Sequence, residues 1–299
     1  MPVPFACPHC GEQTLVDEQF SGQSGPCIGC GRLIVVPYFY TTAATAPART
    51  AATSSPRTLY LLIIGGAVTA FAGLSLILWL LAGPMFHAVQ TQKNRRTCSA
   101  NLRQIGKALV RYEQEHGTLP PAVVTDSAGK PLYSWRVLIL PYLGPQEQAL
   151  YRQFQLDEPW NSPANSRLLK QRPNVFHCPG DTSAAADETS YVVIAGPSTP
   201  FTPRQSLGLG QIRDGAYSTI LVVEVAGTGI SWTEPRDLSD TQLSYQIGLD
   251  IGGNHEGGMN ALFADGNVRF LPDSLSSEEV SELVTASGGE ADSVKTLDY

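Results

Sequence analysis

Four cysteines in the first thirty residues form two Cys-x-x-Cys pairs, Cys7-Pro-His-Cys10-Gly and Cys27-Ile-Gly-Cys30-Gly, sixteen residues apart. Two such pairs can close four thiolates around one tetrahedral zinc, and the glycine after each frees backbone amides to point at the sulfurs. Two local disulfides or a redox Cys-x-x-Cys are the alternatives. A redox pair needs a strand-to-helix setting in a much larger fold, whereas roughly thirty residues cannot bury enough surface to hold a fold without a staple. The spacing therefore predicts a zinc ribbon over residues 3–36, inside a first domain at 1–40. Its ligands are Cys7, Cys10, Cys27 and Cys30, with His9 exposed rather than a fifth ligand. Bound thiolates need a reducing compartment to survive as such, which points to the cytosol for this end.

No two of the five histidines lie at ligand spacing on a helix, and there is no Gly-x-Ser-x-Gly elbow, phosphate-binding glycine loop or His-Glu-x-x-His. His255 is the one with context, inside Gly252-Gly-Asn-His-Glu-Gly-Gly258, where glycines let backbone approach closely. Glu224 and Asp265 could join it around a metal or proton-transfer site. On the competing reading, His255 ties the loop to its neighbours and Asp265 serves a turn. Two cysteines remain outside the ribbon, Cys98 and Cys178, and from the residues alone they are either a disulfide or two buried thiols.

The elements that must position these groups follow from charge and hydropathy. Residues 1–96 carry six Lys/Arg against three Asp/Glu, and residues 97–299 carry fourteen against twenty-four. An acidic main domain lacks the clustered cations that phosphate contacts need, which argues against nucleic acid as a partner. Residues 41–58, almost wholly Thr, Ala, Pro, Ser and Arg, can bury nothing and read as a flexible linker. Leu59–Gly83 is free of charge for 25 residues. As a helix it spans about 37 Å, enough for a ~30 Å hydrocarbon core. It is too long, and preceded by too many residues, for a cleaved signal peptide. Arg49 and Arg57 on one flank against Lys93, Arg95 and Arg96 on the other mildly favour a cytosolic C-terminus. The ribbon's need for reduced sulfur outweighs that small difference and places residues 84–299 outside.

Past Pro84, the positions Cys98, Leu102, Ile105, Leu109, Tyr112 and His116 share one helix face, ended by Gly117 and Pro120-Pro121. That stripe needs a sheet, and Tyr191–Ala195, Thr219–Val225 and Met259–Leu271 supply strand patterns. Asp265-Gly266 between alternating runs predicts a β-hairpin with a two-residue type I′ turn. Ser276 and Glu279 stand at capping-box spacing for a last short helix, followed by Gly288-Gly289. The Pro-, Trp- and Tyr-rich stretch from Pro120 to about Thr189 reads as ordered loops around a short buried helix at Ser134–Leu143.

The spaced motifs Cys98-x-x-Asn101-Leu-x-Gln104-Ile-Gly, Ser134-Trp-Arg-Val, Glu158-Pro-Trp, Phe176-x-Cys178-Pro, Thr189-Ser-Tyr, Asp214-Gly, Glu224, Trp232-Thr-x-Pro-x-Asp-Leu238 and His255-x9-Asp265-Gly266 resemble a bacterial family over about residues 86–291. It is the prepilin-like domain of unknown function with the His-x9-Asp-Gly box, usually found behind a type IV pilin or type II secretion pseudopilin N-terminus. The resemblance implies a pilin-like α+β fold, with a long N-terminal helix packed on an antiparallel sheet outside the cytoplasmic membrane, and a Cys98–Cys178 disulfide. Two features depart from it. The ribbon and linker stand where a prepilin leader would be, so the N-terminus is expected to be retained. Glu158-Pro-Trp-Asn-Ser-Pro-Ala-Asn165 stands where family members often read Glu-Pro-Trp-Asp-Ser-Pro-His-Asn.

The sequence thus predicts a single-pass protein of the cytoplasmic membrane in four parts: ribbon 1–40, linker 41–58, transmembrane helix 59–83 and pilin-like domain 84–299. Its expected role is structural or binding rather than enzymatic, secretion-associated, with zinc as cofactor and protein partners on both sides. The alternative is an envelope enzyme or metal-binding domain using His255, Glu224 and Asp265.

Overall fold

The computed structural model describes residues 2–38, 56–202 and 206–289. The chain divides into two compact units between Gly73 and Leu74. In the first, β1 (Val3–Ala6) pairs antiparallel with β2 (Gln13–Val16), and β3 (Ser24–Pro26) with β4 (Leu33–Val35). These strands are too short to bury a core, and Leu15, Ile28, Leu33 and Val35 are exposed. Most of the expected linker, residues 39–55, lies outside the described residues. Its last three positions do not: Pro56 opens a helix, as proline at a first helical position readily does.

That helix, α1 (Pro56–His116), makes the expected membrane span and the expected amphipathic helix one element, with Pro84 inside it. Among the described residues it is the one helix long and apolar enough to cross a membrane, and none of its most apolar window is buried within the protein. Phe71, Trp79 and Phe86 project freely from it. Farther along, Cys98, Leu102, Ile105, Ala108 and Leu109 are fully buried. His116 does not continue the stripe. It is exposed, stacked on Tyr112 with ring centroids 4.0 Å apart.

The second unit continues with β5 (Val123–Thr125) and β6 (Pro131–Ser134), an antiparallel pair, then the short helices α2 (Trp135–Leu138), α3 (Leu140–Leu143) and α4 (Pro145–Tyr151). After a long looped stretch come β7 (Tyr191–Val192), β8 (Ile194–Ala195), β9 (Ile220–Glu224), β10 (Leu238–Ser239), β11 (Gly258–Phe263) and β12 (Val268–Pro272). The main sheet is antiparallel in the order β12-β11-β9-β7, and β8 pairs in parallel with β10. The architecture is therefore α+β.

Strand alternation divides the core. Leu262 and Ala264 join the cluster around α1, whereas Met259, Ala261 and Phe263 join Val280, Leu283 and Val284, at and just beyond α5 (Ser277–Glu282), on the other face. The Ser276 capping box forms as its spacing predicts. The hairpin turn differs from expectation. Phe263 N–H donates to Asn267 and Gly266 N–H to Phe263, leaving a three-residue loop in which Gly266, at φ 81°, is left-handed and Asp265 is not. A type I turn closed by a glycine bulge replaces type I′ because the Asp265 carboxylate accepts from Asn267 N–H at 2.9 Å.

The short helices are organised by a buried ion pair. Arg136, fully enclosed, donates to Tyr191 O at 2.9 and 3.0 Å and reaches Asp237 at 2.5 Å. Burial pushes the Asp237 carboxyl up against the attraction of Arg136, and the same burial pushes Arg136 down. Asp237 also accepts from Val193 N–H at 2.9 Å, so α2, β7 and the approach to β10 share one charged node.

Candidate functional site

In the N-terminal unit each hairpin presents one cysteine pair. Cys7 N–H donates to Glu12 and Gly11 N–H to Cys7, and the pattern repeats as Cys27 to Arg32 and Gly31 to Cys27. Gly11 and Gly31 both take positive φ, 75° and 68°, which closes each knuckle tightly. The four cysteines come together, with sulfurs 3.9 Å apart for Cys7 and Cys30 and 3.7 Å for Cys10 and Cys27. Tetrahedral zinc with bonds of about 2.3 Å puts its sulfurs about 3.8 Å apart, so the set fits such an ion. His9 is exposed, and its backbone N–H, 3.4 Å from Cys7 Sγ, is the main cause that pulls that thiol down to about 6. The Glu12 backbone N–H pulls Cys10 down, but the neighbouring sulfurs outweigh it and push the thiol up to about 12. Four thiols this close cannot all ionise without a cation among them.

In the second unit Cys98 and Cys178 form a disulfide with Cα atoms 5.1 Å apart. α1 is fixed to the same loop by Asn94 Nδ2 to Pro179 O at 3.3 Å and Asn101 Nδ2 to His177 O at 2.9 Å, one helical turn either side of Cys98. Gln104, a turn farther on, donates to Leu143 O at 3.2 Å. The Asn101 and Gln104 positions of the helix motif thus tie α1 to the cysteine loop and to the end of α3.

Glu224 and His255 adjoin this disulfide. His255 Nε2 lies 3.5 Å from Cys178 Sγ and 3.4 Å from Glu224 Oε2, with both side chains sealed from solvent. Glu224 Oε1 accepts from the backbone N–H of Asn260 at 2.5 Å and from its side chain at 3.2 Å. Alternation along β11 puts Asn260 on the side that carries Leu262, so the carboxylate stands on the apolar face that packs against α1. Gly180 lets the cysteine loop close on this group: a Cβ there would meet Asn254 O at 2.6 Å and His255 Cε1 at 3.1 Å.

Asp265 does not join. It holds Arg269 across the hairpin, and Gly266 supplies the turn. Of the three residues proposed for chemistry, the fold brings together two. It adds the two cysteines, which the residues alone leave as a disulfide or two buried thiols, and it shows a buried node of Arg136 and Asp237 that the sequence reading does not contain. A charged residue closing the apolar run Ile220–Glu224 was the available signal for the first, and Arg136 inside Trp-Arg-Val-Leu for the second.

Residues 93–205 match the model of a bacterial family described as a protein of unknown function (DUF1559). The matched stretch holds Cys98, Cys178 and Arg136, and ends before Glu224, His255 and Asp265. No curated protein and no solved structure matches the chain.

Proposed function

We propose that this is a single-pass protein of the bacterial cytoplasmic membrane with a structural or binding role. Its cytosolic zinc ribbon meets one protein partner, and its pilin-like extracytoplasmic domain meets another in the envelope, in a secretion-associated setting. The carrying observation is the contrast of cysteine states on either side of a membrane-length apolar helix segment. Cys7, Cys10, Cys27 and Cys30 are free thiols arranged as metal ligands, and Cys98 and Cys178 are joined. Thiol clusters suit a reducing compartment and structural disulfides an oxidising one. The exposed side chains of the apolar part of α1 support the same reading, since a core helix of that composition would be buried. Against the enzymatic alternative stands the position of Asp265, which pairs with Arg269 in the hairpin and does not join Glu224 and His255.

The test is topology. An N-terminal tag should stay on the 32.1 kDa chain and be shielded from protease in intact spheroplasts, while the domain after Pro84 is digested. Loss of the tag by processing, or a protected C-terminal domain, would overturn the reading.

A further inference from the structure

Beyond the fold-stapling role of the disulfide, its surroundings are unlike those of a structural cross-link. Cys98, Cys178, Glu224 and His255 each offer a ligand atom, all within 4.8 Å of one another, and all four residues are buried. A carboxylate and an imidazole on an apolar face cost free energy to desolvate and add nothing the hydrophobic packing requires. Glu224 is already aimed by three bonds from Asn260, two to Oε1 and one from the side-chain amide to Oε2 at 3.2 Å, the kind of support that orients a metal ligand. His255 Nδ1 and both polar atoms of the Asn254 side chain are buried without a hydrogen-bond partner among the described residues, so this loop is not fully satisfied with the disulfide closed.

The distances carry the argument further. Tetrahedral zinc-class coordination has edges of about 3.5 Å between sulfur and nitrogen and about 3.4 Å between nitrogen and oxygen. The observed separations are 3.5 Å from Cys178 Sγ to His255 Nε2 and 3.4 Å from His255 Nε2 to Glu224 Oε2. Two edges of the polyhedron therefore stand in place. The third requirement is that the sulfurs part, from a covalent bond of about 2.05 Å to the roughly 3.8 Å edge between two zinc-bound thiolates.

We infer that Cys98, Cys178, His255 and Glu224 form a redox-gated site for a zinc-class divalent cation, closed as the disulfide and opened by its reduction. Two molecules of a thiol reductant reduce the bond: the reductant is oxidised to its own disulfide, its two protons pass to the protein, and Cys98 and Cys178 become thiols. The cation then displaces both thiol protons to solvent and takes two thiolates, His255 Nε2 and one Glu224 oxygen. Soft sulfur with one imidazole and one carboxylate favours zinc over magnesium or calcium. A recess of about 460 Å³ between α1 and His255, bordered by His87, Thr91, Arg95 and Glu256, is the approach.

The test uses the full chain in detergent with Cys7, Cys10, Cys27 and Cys30 all changed to serine, which removes the other cysteine cluster and separates this proposal from the zinc ribbon. Cobalt(II) is titrated before and after a phosphine reductant. Reduction should bring an uptake of one ion per chain with tetrahedral thiolate-to-cobalt absorption, absent beforehand. His255→Ala should weaken that uptake at least tenfold in a chain that still folds when oxidised. Glu224→Gln provides a second variant should the first fail to fold, and the thiolate absorption of the unsubstituted site reports independently of both. Two titratable thiols with no cobalt uptake would overturn the proposal. So would equal binding before reduction, or a disulfide that resists the reductant in the folded chain.

Discussion

Gly106 of α1 stands directly against Leu262 of β11: a Cβ at position 106 would lie 2.8 Å from Leu262 Cδ1. The helix rests on the sheet at this point because one side chain is missing. Gly106→Val should force Leu262 from its rotamer and cost about 1–3 kcal/mol. Thermal unfolding in detergent would read it as a drop in midpoint. An unchanged midpoint would mean that helix and sheet are not packed this closely.

The cysteine pairs of the N-terminal unit predict a metal-dependent fold. Elemental analysis of residues 1–40 should find one zinc per chain, and Cys27→Ser should abolish both the metal and the dispersed amide spectrum. A metal-free peptide with a stable fold would remove the assignment.

Asp237→Ala leaves the Arg136 guanidinium buried without its counter-charge. A loss of about 3–5 kcal/mol is expected. Replacing both, as Arg136→Met with Asp237→Leu, should cost clearly less than the single change, because no uncompensated charge remains. Urea titration of the two variants tests this, and equal losses would show that the charges are not coupled.

Burial on its own would raise Asp265, but bonds from Arg269 and Asn267 outweigh it and hold the carboxyl below the ordinary range. A carboxyl depressed in the folded state contributes stability that is present above its unfolded value and lost as pH falls through the folded one. The hairpin term is therefore intact at neutral pH and decays below about pH 4. Asp265→Asn should cost more at pH 7 than at pH 3, because protonation at the lower value removes the charge that Arg269 pairs with. Denaturant curves at both values check the sign.

The joined cysteines close a loop of sequence separation 80. Cys178→Ala should lower stability by about 4–5 kcal/mol in the chain-entropy account. Mass spectrometry of the parent without reductant should show the cross-link, and free thiols in membrane-derived protein would contradict it.

What could be read in advance follows how local each signal is. The 98–109 stripe, the Ser276 cap and the paired knuckles are set by neighbours a few residues apart, and all appear as expected. The turn at Asp265 departs from the expected two-residue form because Asp-Gly fits two loop lengths. The choice lay with Phe263 and Asn267 pairing across it. The Arg136 node and the meeting of Glu224 with Cys178 join residues far apart in the chain, and no periodicity encodes such contacts. Pilin-like identity and the His-x9-Asp-Gly box rest on resemblance, and the family match stops short of the box.

The disulfide also sets how the body carries tension. Cys98 is the first fully buried residue of α1 among those described, and Cys178 precedes the main sheet in the chain. A pull arriving along the exposed part of the helix crosses at the sulfurs and continues toward β7. The end of α1, the short helices and the loops between them are bypassed. Stretched from its N-terminal side, the domain should extend only by the chain outside this loop while the bridge is closed, and by the loop as well once it is reduced. Its mechanical length would then report its redox state.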